Sequence, residues 1–287
     1  MQYYCPDTIE AAVALAEQSQ GTLRYLAGGT DVLVQLRSDM VTPDVLIDTK
    51  HIPGAGDIAR EGDGWRIGIA VSGAEMSEHP ELHKEWPGIV EAMDLIGSTQ
   101  IQGRATLVGN LCNASPAADS VPTMIAAGVT ASVQGPSGER VVPVEDLLQG
   151  PGKTSLTKGE IVTSLHIPAR GERGGDAYQR FIPRTEMDIA VVGCGVNLKL
   201  SGDGAIESAR VSLGAVAPTA LLVEAAADAI VGTKLDDGAL EALANAASDA
   251  CSPIEDKRGT IKFRTHVAGV LARRVAQIAY DRAGAAQ

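Results

Sequence analysis

Leu26-Ala27-Gly28-Gly29-Thr30-Asp31-Val32 reads as the end of a strand that turns over two glycines into a short helix. Such a turn can hold an anion. Without Cβ atoms at Gly28 and Gly29 the backbone can come close to a pyrophosphate, and successive N–H groups with the Thr30 hydroxyl can donate to it. Taken alone, the same residues also fit an ordinary tight turn. Upstream, Ile9, Ala12, Val13 and Ala16 repeat at helical spacing and Asp7 stands three before Glu10 as in a capping box, which predicts a helix over 8–18, with a strand after it at Leu23–Leu26. Downstream, the apolar stretch Val32–Leu36 leads to Val45-Leu46-Ile47-Asp48, a buried strand. Together these form a small α/β unit with the double glycine at its strand-to-helix turn.

A second stretch, Thr106-Leu107-Val108-Gly109-Asn110-Leu111-Cys112-Asn113-Ala114-Ser115-Pro116-Ala117-Ala118-Asp119, is rich in small and amide-bearing residues. Small residues allow close packing against a flat ligand. Thr106, Asn110, Asn113 and Ser115 can donate or accept hydrogen bonds, and Asp119 can accept from ribose or ribityl hydroxyls. The competing possibility is a loop that stabilises itself through Asx turns. Around this stretch, strands are predicted at Arg66–Ala70, Thr130–Val133 and Ile161–Ile167, and a helix at Gly88–Ile96. Pro168–Gly175 has the glycine and charge content of a connector, giving domains at 1–170 (subdomains 1–55 and 56–170) and 176–283. Beyond it come strands at Ala177–Ile182, Ile189–Leu200 and Ala209–Val216, then helices at 219–231, 237–250 and 261–281.

Several function classes are excluded by what the 287 residues lack. A net charge of −12 with no local Lys/Arg stripe argues against nucleic acid. No apolar run reaches the length of a membrane span and the first residues do not read as a secretory signal, so a cytoplasmic location is expected. Cys5, Cys112, Cys194 and Cys251 lie too far apart in sequence to supply a local zinc or iron–sulfur site. Gly54-Ala55-Gly56-Asp57-Ile58-Ala59 has the letters of a dinucleotide fingerprint, but Pro53 before it and Gly62 and Gly64 after it predict a loop. Gly152-Lys153-Thr154 imitates the end of a P-loop, yet Leu147 stands where the first glycine is required. His79 and His83 have helical metal-ligand spacing, but Pro80 interrupts it. No Gly-x-Ser-x-Gly elbow is present.

The two informative stretches, Ala27–Asp31 and Thr106–Asn110 with Asn113–Asp119, resemble those of the FAD-binding medium subunit of the xanthine dehydrogenase and aerobic carbon monoxide dehydrogenase superfamily. Arg180-Phe181, Arg184–Val192, Ala209–Thr219 and Phe263–Leu271 resemble the same family, so the likeness runs nearly end to end. It implies an α+β fold: a two-subdomain FAD-binding domain of the vanillyl-alcohol-oxidase type, then a three-stranded antiparallel sheet with a three-helix bundle. Carried over by position, the resemblance implies that Leu26, Ala27, Gly28, Gly29, Thr30, Asp31 and Val32 hold the pyrophosphate and that Thr106, Val108, Gly109, Asn110, Ser115 and Asp119 contact FAD. Ile96 and Val162 match positions packed near the cofactor. Arg180 falls where relatives carry a lysine near the flavin ring, and Ile189 where a side chain lies against the isoalloxazine.

The resemblance further implies a large subunit with a molybdenum–pterin cofactor, a small subunit with two 2Fe–2S clusters, and a dimer of heterotrimers. No catalytic or metal-ligating residue is then expected on this chain. Three positions depart from the family pattern: Val108 replaces a glycine, Ala105 stands where glycine is common, and Gln102 where arginine is expected. If position 108 required positive φ, valine would be strained there. Two alternatives follow, a scaffold subunit whose flavin site has decayed and a self-sufficient flavin oxidoreductase, although no catalytic constellation emerges for the latter. Carbon monoxide, purines, N-heterocycles, aldehydes and aromatic thioesters all remain open as substrates of the whole complex.

Overall fold

A computed structural model describes residues 1–285. The chain opens with β1 (Gln2–Tyr4), α1 (Ile9–Gln18), β2 (Leu23–Leu26), α2 (Val32–Arg37) and β3 (Val45–Asp48). The three strands pair in parallel in the order β1-β3-β2, and every residue of the central strand β3 is buried. Helix α1 buries Ala12, Val13 and Ala16, part of the face its spacing predicts. Its cap is not Asp7. Thr8 has the extended backbone of an N-cap, and its hydroxyl oxygen accepts from the Ala11 N–H at 3.1 Å, so the helix starts one residue later than a capping box on Asp7 would place it.

The second sheet is antiparallel in the order β4-β5-β10-β6-β7, built from β4 (Ile58–Glu61), β5 (Gly64–Gly68), β6 (Thr130–Gly135), β7 (Gly138–Pro143) and β10 (Ile161–Ile167). The small hairpin β8 (Leu148–Gly150) and β9 (Lys153–Thr154) lies between β7 and β10. Six helices come between β5 and β6: α3 (Gly73–Glu78), α4 (Pro80–Glu85), α5 (Pro87–Asp94), α6 (Thr99–Gln102), α7 (Leu107–Cys112) and α8 (Ser120–Ala127). A further short helix, α9 (Val144–Leu147), follows β7. The strand expected at Arg66–Ala70 is β5, shifted towards Gly64, because the Ala70 N–H turns away to the Ala55 carbonyl. His79 separates α3 from α4 and caps the latter, its Nδ1 accepting from the Leu82 N–H at 3.2 Å with Pro80 in the first turn. Side chains of both sheets share one core with these helices, Trp65, Ile67, Trp86, Ile89 and Met124 among its largest members.

A second core lies within 177–283. Strands β11 (Gly174–Phe181), β12 (Val192–Leu200) and β13 (Ile206–Gly214) form the expected antiparallel sheet, and the two-residue β14 (Leu221–Leu222) extends it beside β13. That extension uses residues expected to start a helix, so the first of the three helices is reduced to α10 (Glu224–Asp228); α11 (Asp237–Asp249) and α12 (Ile261–Ala285) are long. The middle strand begins at Val192, not Ile189, and β11 starts at Gly174 within the connector.

The two cores meet at backbone contact. A Cβ on Gly195 of β12 would lie 2.9 Å from the Pro122 backbone of α8, closer than real Cβ contacts come. Around that contact Asp176 accepts from the Gly88 N–H at 2.8 Å and from Arg170 at 3.0 Å, while Arg282 of α12 reaches the Asp176 carbonyl at 2.8 Å and pairs with Glu91 of α5. Arg210 donates to the Ile125 carbonyl at 3.0 Å and to Glu145 at 2.8 Å.

Candidate functional site

A cleft of about 690 Å³ is bounded by the β2–α2 turn on one side and by residues 105–113 and 152–162 on the other. The turn owes its shape to the two glycines, but Gly28 is needed for a different reason from the one the sequence suggests. A Cβ there would lie 1.9 Å from the Arg104 carbonyl oxygen, and the Gly28 carbonyl itself accepts from Arg104 Nε at 3.3 Å. The missing side chain thus lets the two loops touch each other, whatever it also allows a ligand. Gly29 takes φ +79°, a left-handed conformation that costs glycine little.

The consequence for chemistry is a row of donors. Among the described residues, no backbone N–H from Gly28 to Val32 has a protein acceptor, while the Gly29 and Asp31 carbonyls turn inward to accept from Leu33 and Gln35. Consecutive N–H groups converging from a turn make an anion-binding concavity. The Leu26 carbonyl behind them is held by both the N–H and the hydroxyl of Thr49, at 3.0 and 3.2 Å, so the loop is anchored from its buried side.

The second stretch is a helix more than a loop. Thr106 is the N-cap of α7, its hydroxyl oxygen accepting from the Gly109 N–H at 2.9 Å. Val108 is the second residue of that helix, buried and without positive φ, so the strain feared for a β-branched residue does not arise. Ala105, also buried, gives its carbonyl to the Gly73 N–H at 2.9 Å. Asn110 Oδ1 accepts from the Ser120 hydroxyl at 2.7 Å, which leaves its amide N–H groups without a protein acceptor at the cleft wall among the described residues.

Of the residues expected at a cofactor, Ala27, Gly28, Thr30, Asp31, Val32, Ile96, Thr106, Val108, Gly109, Asn110 and Val162 line this one cleft. Leu26 and Gly29 support the turn from behind. Ser115, Asp119, Arg180 and Ile189 do not line it. Ser115 Oγ accepts from the Ala117 N–H at 3.3 Å, and Ile189, 53% exposed, lies on the segment between β11 and β12. Asp119 and Arg180 form a buried ion pair at 2.5 Å, with the Tyr178 hydroxyl donating to the other carboxylate oxygen at 2.9 Å. Ser120, the residue after Asp119, donates to Asn110 at the cleft wall. Sequence reasoning missed Tyr25 of β2, which lines the cleft, and the irregular segment Leu156–Glu160, which carries no periodicity by which to find it.

Burial pushes the Asp119 carboxyl up to about 6, against the opposing pull of Arg180 and the Tyr178 hydroxyl. A folded-state value above the unfolded one means that the native chain keeps a proton that the unfolded chain has released between roughly pH 4 and 6. The stability this proton contributes is complete below about pH 4 and is lost as pH rises through 6. Asp119→Asn cannot titrate, so the stability of the unsubstituted chain relative to this variant should fall by about 2–3 kcal/mol between pH 4 and 7 in denaturant titrations. A difference that stays flat across that range would contradict the assignment.

Among the described residues no group of three or more His, Cys, Asp or Glu could hold a metal ion. The cleft instead combines unpaired donors with the apolar surfaces of Ile69, Ile96, Val108, Ile161 and Val162, which suits an elongated ligand with an anionic centre and a flat end. Comparison with known proteins agrees with that chemistry. Residues 1–170 match the family described as the FAD binding domain in molybdopterin dehydrogenase, and residues 177–279 match the CO dehydrogenase flavoprotein C-terminal domain. The carbon monoxide dehydrogenase medium chain of Hydrogenophaga pseudoflava is 31% identical over 98% of this chain and 97% of its own length. The putative xanthine dehydrogenase FAD-binding subunit of Escherichia coli is 30% identical with the same coverage. A chain in the crystal structure of cyanide-inactivated Cu,Mo-CO dehydrogenase superposes with a TM-score of 0.94 at 33% identity, covering 98% of both chains. The chain therefore belongs to the family of FAD-binding medium subunits of molybdenum-containing dehydrogenases of the carbon monoxide and xanthine dehydrogenase type.

Proposed function

We propose that this chain accepts electrons from 2Fe–2S clusters on a small partner subunit and passes them, through FAD held in the cleft, to an external acceptor. The observation that carries this is the row of unpaired N–H groups from Gly28 to Val32 opening on a cleft of about 690 Å³. Those groups would hold the pyrophosphate, with the Thr30 hydroxyl as a further donor. Asn110 would donate through its free amide, and Ile96, Val108 and Val162 would pack the apolar faces. Asp119 would accept from ribose or ribityl hydroxyls, and Arg180 and Ile189 would lie at the flavin-ring end on the side of the C-terminal core. Ser115 is assigned a neighbouring contact through the α7–α8 loop.

FAD supplies the capacity to take electrons singly and release them singly or as a pair. This chain's own residues bind and orient it and set its surroundings; no acid–base pair in the cleft is needed for substrate chemistry. Oxidation of the substrate and its selection would belong to a large subunit with the molybdenum–pterin cofactor, in a dimer of heterotrimers. The scaffold alternative rested on Val108 and Ala105, and both residues fit the cleft wall without positive φ.

The test is the visible spectrum of the purified chain before and after denaturation, with and without co-expressed partner subunits. About one FAD released per chain is the expected result. A colourless complete complex would overturn the proposal and favour a scaffold role.

A further inference from the structure

An anionic dinucleotide approaching this chain meets a net charge of −12, and the turn that faces its phosphates carries a carboxylate, Asp31, but no cation. Backbone N–H groups supply direction and partial charge; they do not neutralise two full negative charges. Two cations line the cleft. Arg24 already directs its guanidinium to the Leu23 carbonyl at 3.0 Å. Lys158 has no hydrogen-bond or ion-pair partner among the described residues.

The surroundings of Lys158 explain how it stays unpaired. Its natural partner would be Glu160, two residues on. Both Glu160 oxygens are taken: Arg140 donates to them at 2.7 and 2.9 Å, and the Thr157 N–H donates at 2.7 Å. The Glu160 N–H in turn reaches the Thr157 carbonyl at 3.0 Å. These bonds close residues 157–160 into a tight turn, with Lys158 exposed on it at the cleft wall contributed by the second subdomain. The carboxylate nearest in sequence is thus occupied by a different cation, so Lys158 lines the cleft without that partner.

We propose that Lys158 supplies the counter-charge for the bound dinucleotide's pyrophosphate, acting from the second subdomain on the group held by the Gly28–Val32 turn of the first. This rests on FAD being the occupant of the cleft. One consequence is that the phosphate site is completed by both subdomains, so cofactor binding ties the two together.

The test compares the full-length chain with Lys158→Gln and Lys158→Arg, measuring FAD affinity by fluorescence at low and high salt and the thermal midpoint without FAD. Lys158→Gln should weaken binding about tenfold at low ionic strength. The loss should shrink to about threefold or less near 1 M salt, where screening is short-ranged. Lys158→Arg should bind within about twofold of the unsubstituted chain, and both variants should keep its midpoint. Equal affinity of Lys158→Gln, a loss that ignores salt, or an equal loss in Lys158→Arg would each overturn the role. If the unsubstituted chain binds no FAD, the occupant itself is wrong; if it binds and only the Lys158 pattern fails, the flavin assignment stands without this residue.

Discussion

Gly28→Ala is expected to abolish retention of FAD and to destabilise the chain by about 3 kcal/mol or more, since its one added carbon has nowhere to go. The new Cβ would sit 1.9 Å from the Arg104 carbonyl oxygen, a backbone atom in the segment that leads into α7. No rotamer change relieves a clash between two backbones. The loops must part, which also breaks the 3.3 Å bond from Arg104 Nε to the Gly28 carbonyl and disturbs both walls of the cleft. For a chain of this size the thermal midpoint should fall by roughly 6–12 °C. Gly56→Ala is the matched control: its added Cβ meets no atom within 4 Å, and its φ is not positive. Calorimetry on the two variants, with flavin content measured in parallel, decides the matter. A Gly28→Ala chain with an unchanged midpoint and full flavin would show that the contact is softer than the geometry states.

Arg180→Met is expected to cost about 3–5 kcal/mol at pH 8, because it leaves the Asp119 carboxylate buried without its counter-ion. The Arg180 side chain is only 4% exposed and that of Asp119 only 9%, so water does not compensate either group. Without Arg180 the main influence opposing burial is gone, and the carboxyl should rise beyond 6 and take up a proton more readily. The loss should therefore be smaller at pH 5 than at pH 8. A double-mutant cycle with Asp119→Asn isolates the coupling, since the two residues share one network and their effects should not add. Equal losses at both pH values, or simple additivity, would mean that the pair is not the unit the structure shows.

The elements that were legible from sequence are those whose signal is local. Val45–Asp48 and Ile161–Ile167 have the bounds their hydrophobicity predicts, because both are buried strands flanked by turn residues. Segment 106–112 was illegible as a helix for the same reason. Thr106, Gly109 and Asn110 individually favour caps and turns, and only tertiary contacts, Leu107 and Leu111 in the core and Asn110 on Ser120, make six residues helical. The meaning of Gly28 was half legible: a tight approach was foreseen, yet the group approaching it is Arg104, 76 residues away. Lys158 could not be singled out at all, since the role proposed for it follows from Arg140 having claimed Glu160, and nothing in the sequence ranks one ion pair over another.

The bond from Arg282 to Glu91 joins positions 191 apart, and Gly195 lies on Pro122 at the level of the backbone. On the ribosome the second contact must wait until β12 has emerged, and the first until residue 282 has. Helix α8, every residue of which is buried in the finished protein, must wait with part of its surface uncovered while β12 and β13 are still being made. Contacts this distant are slow to close and leave apolar surface open to aggregation in the meantime. The cleft, lined only by residues between 16 and 162, should therefore settle before α8 is covered, and a chaperone that shields α8 during synthesis would act while β12 and β13 are still to come.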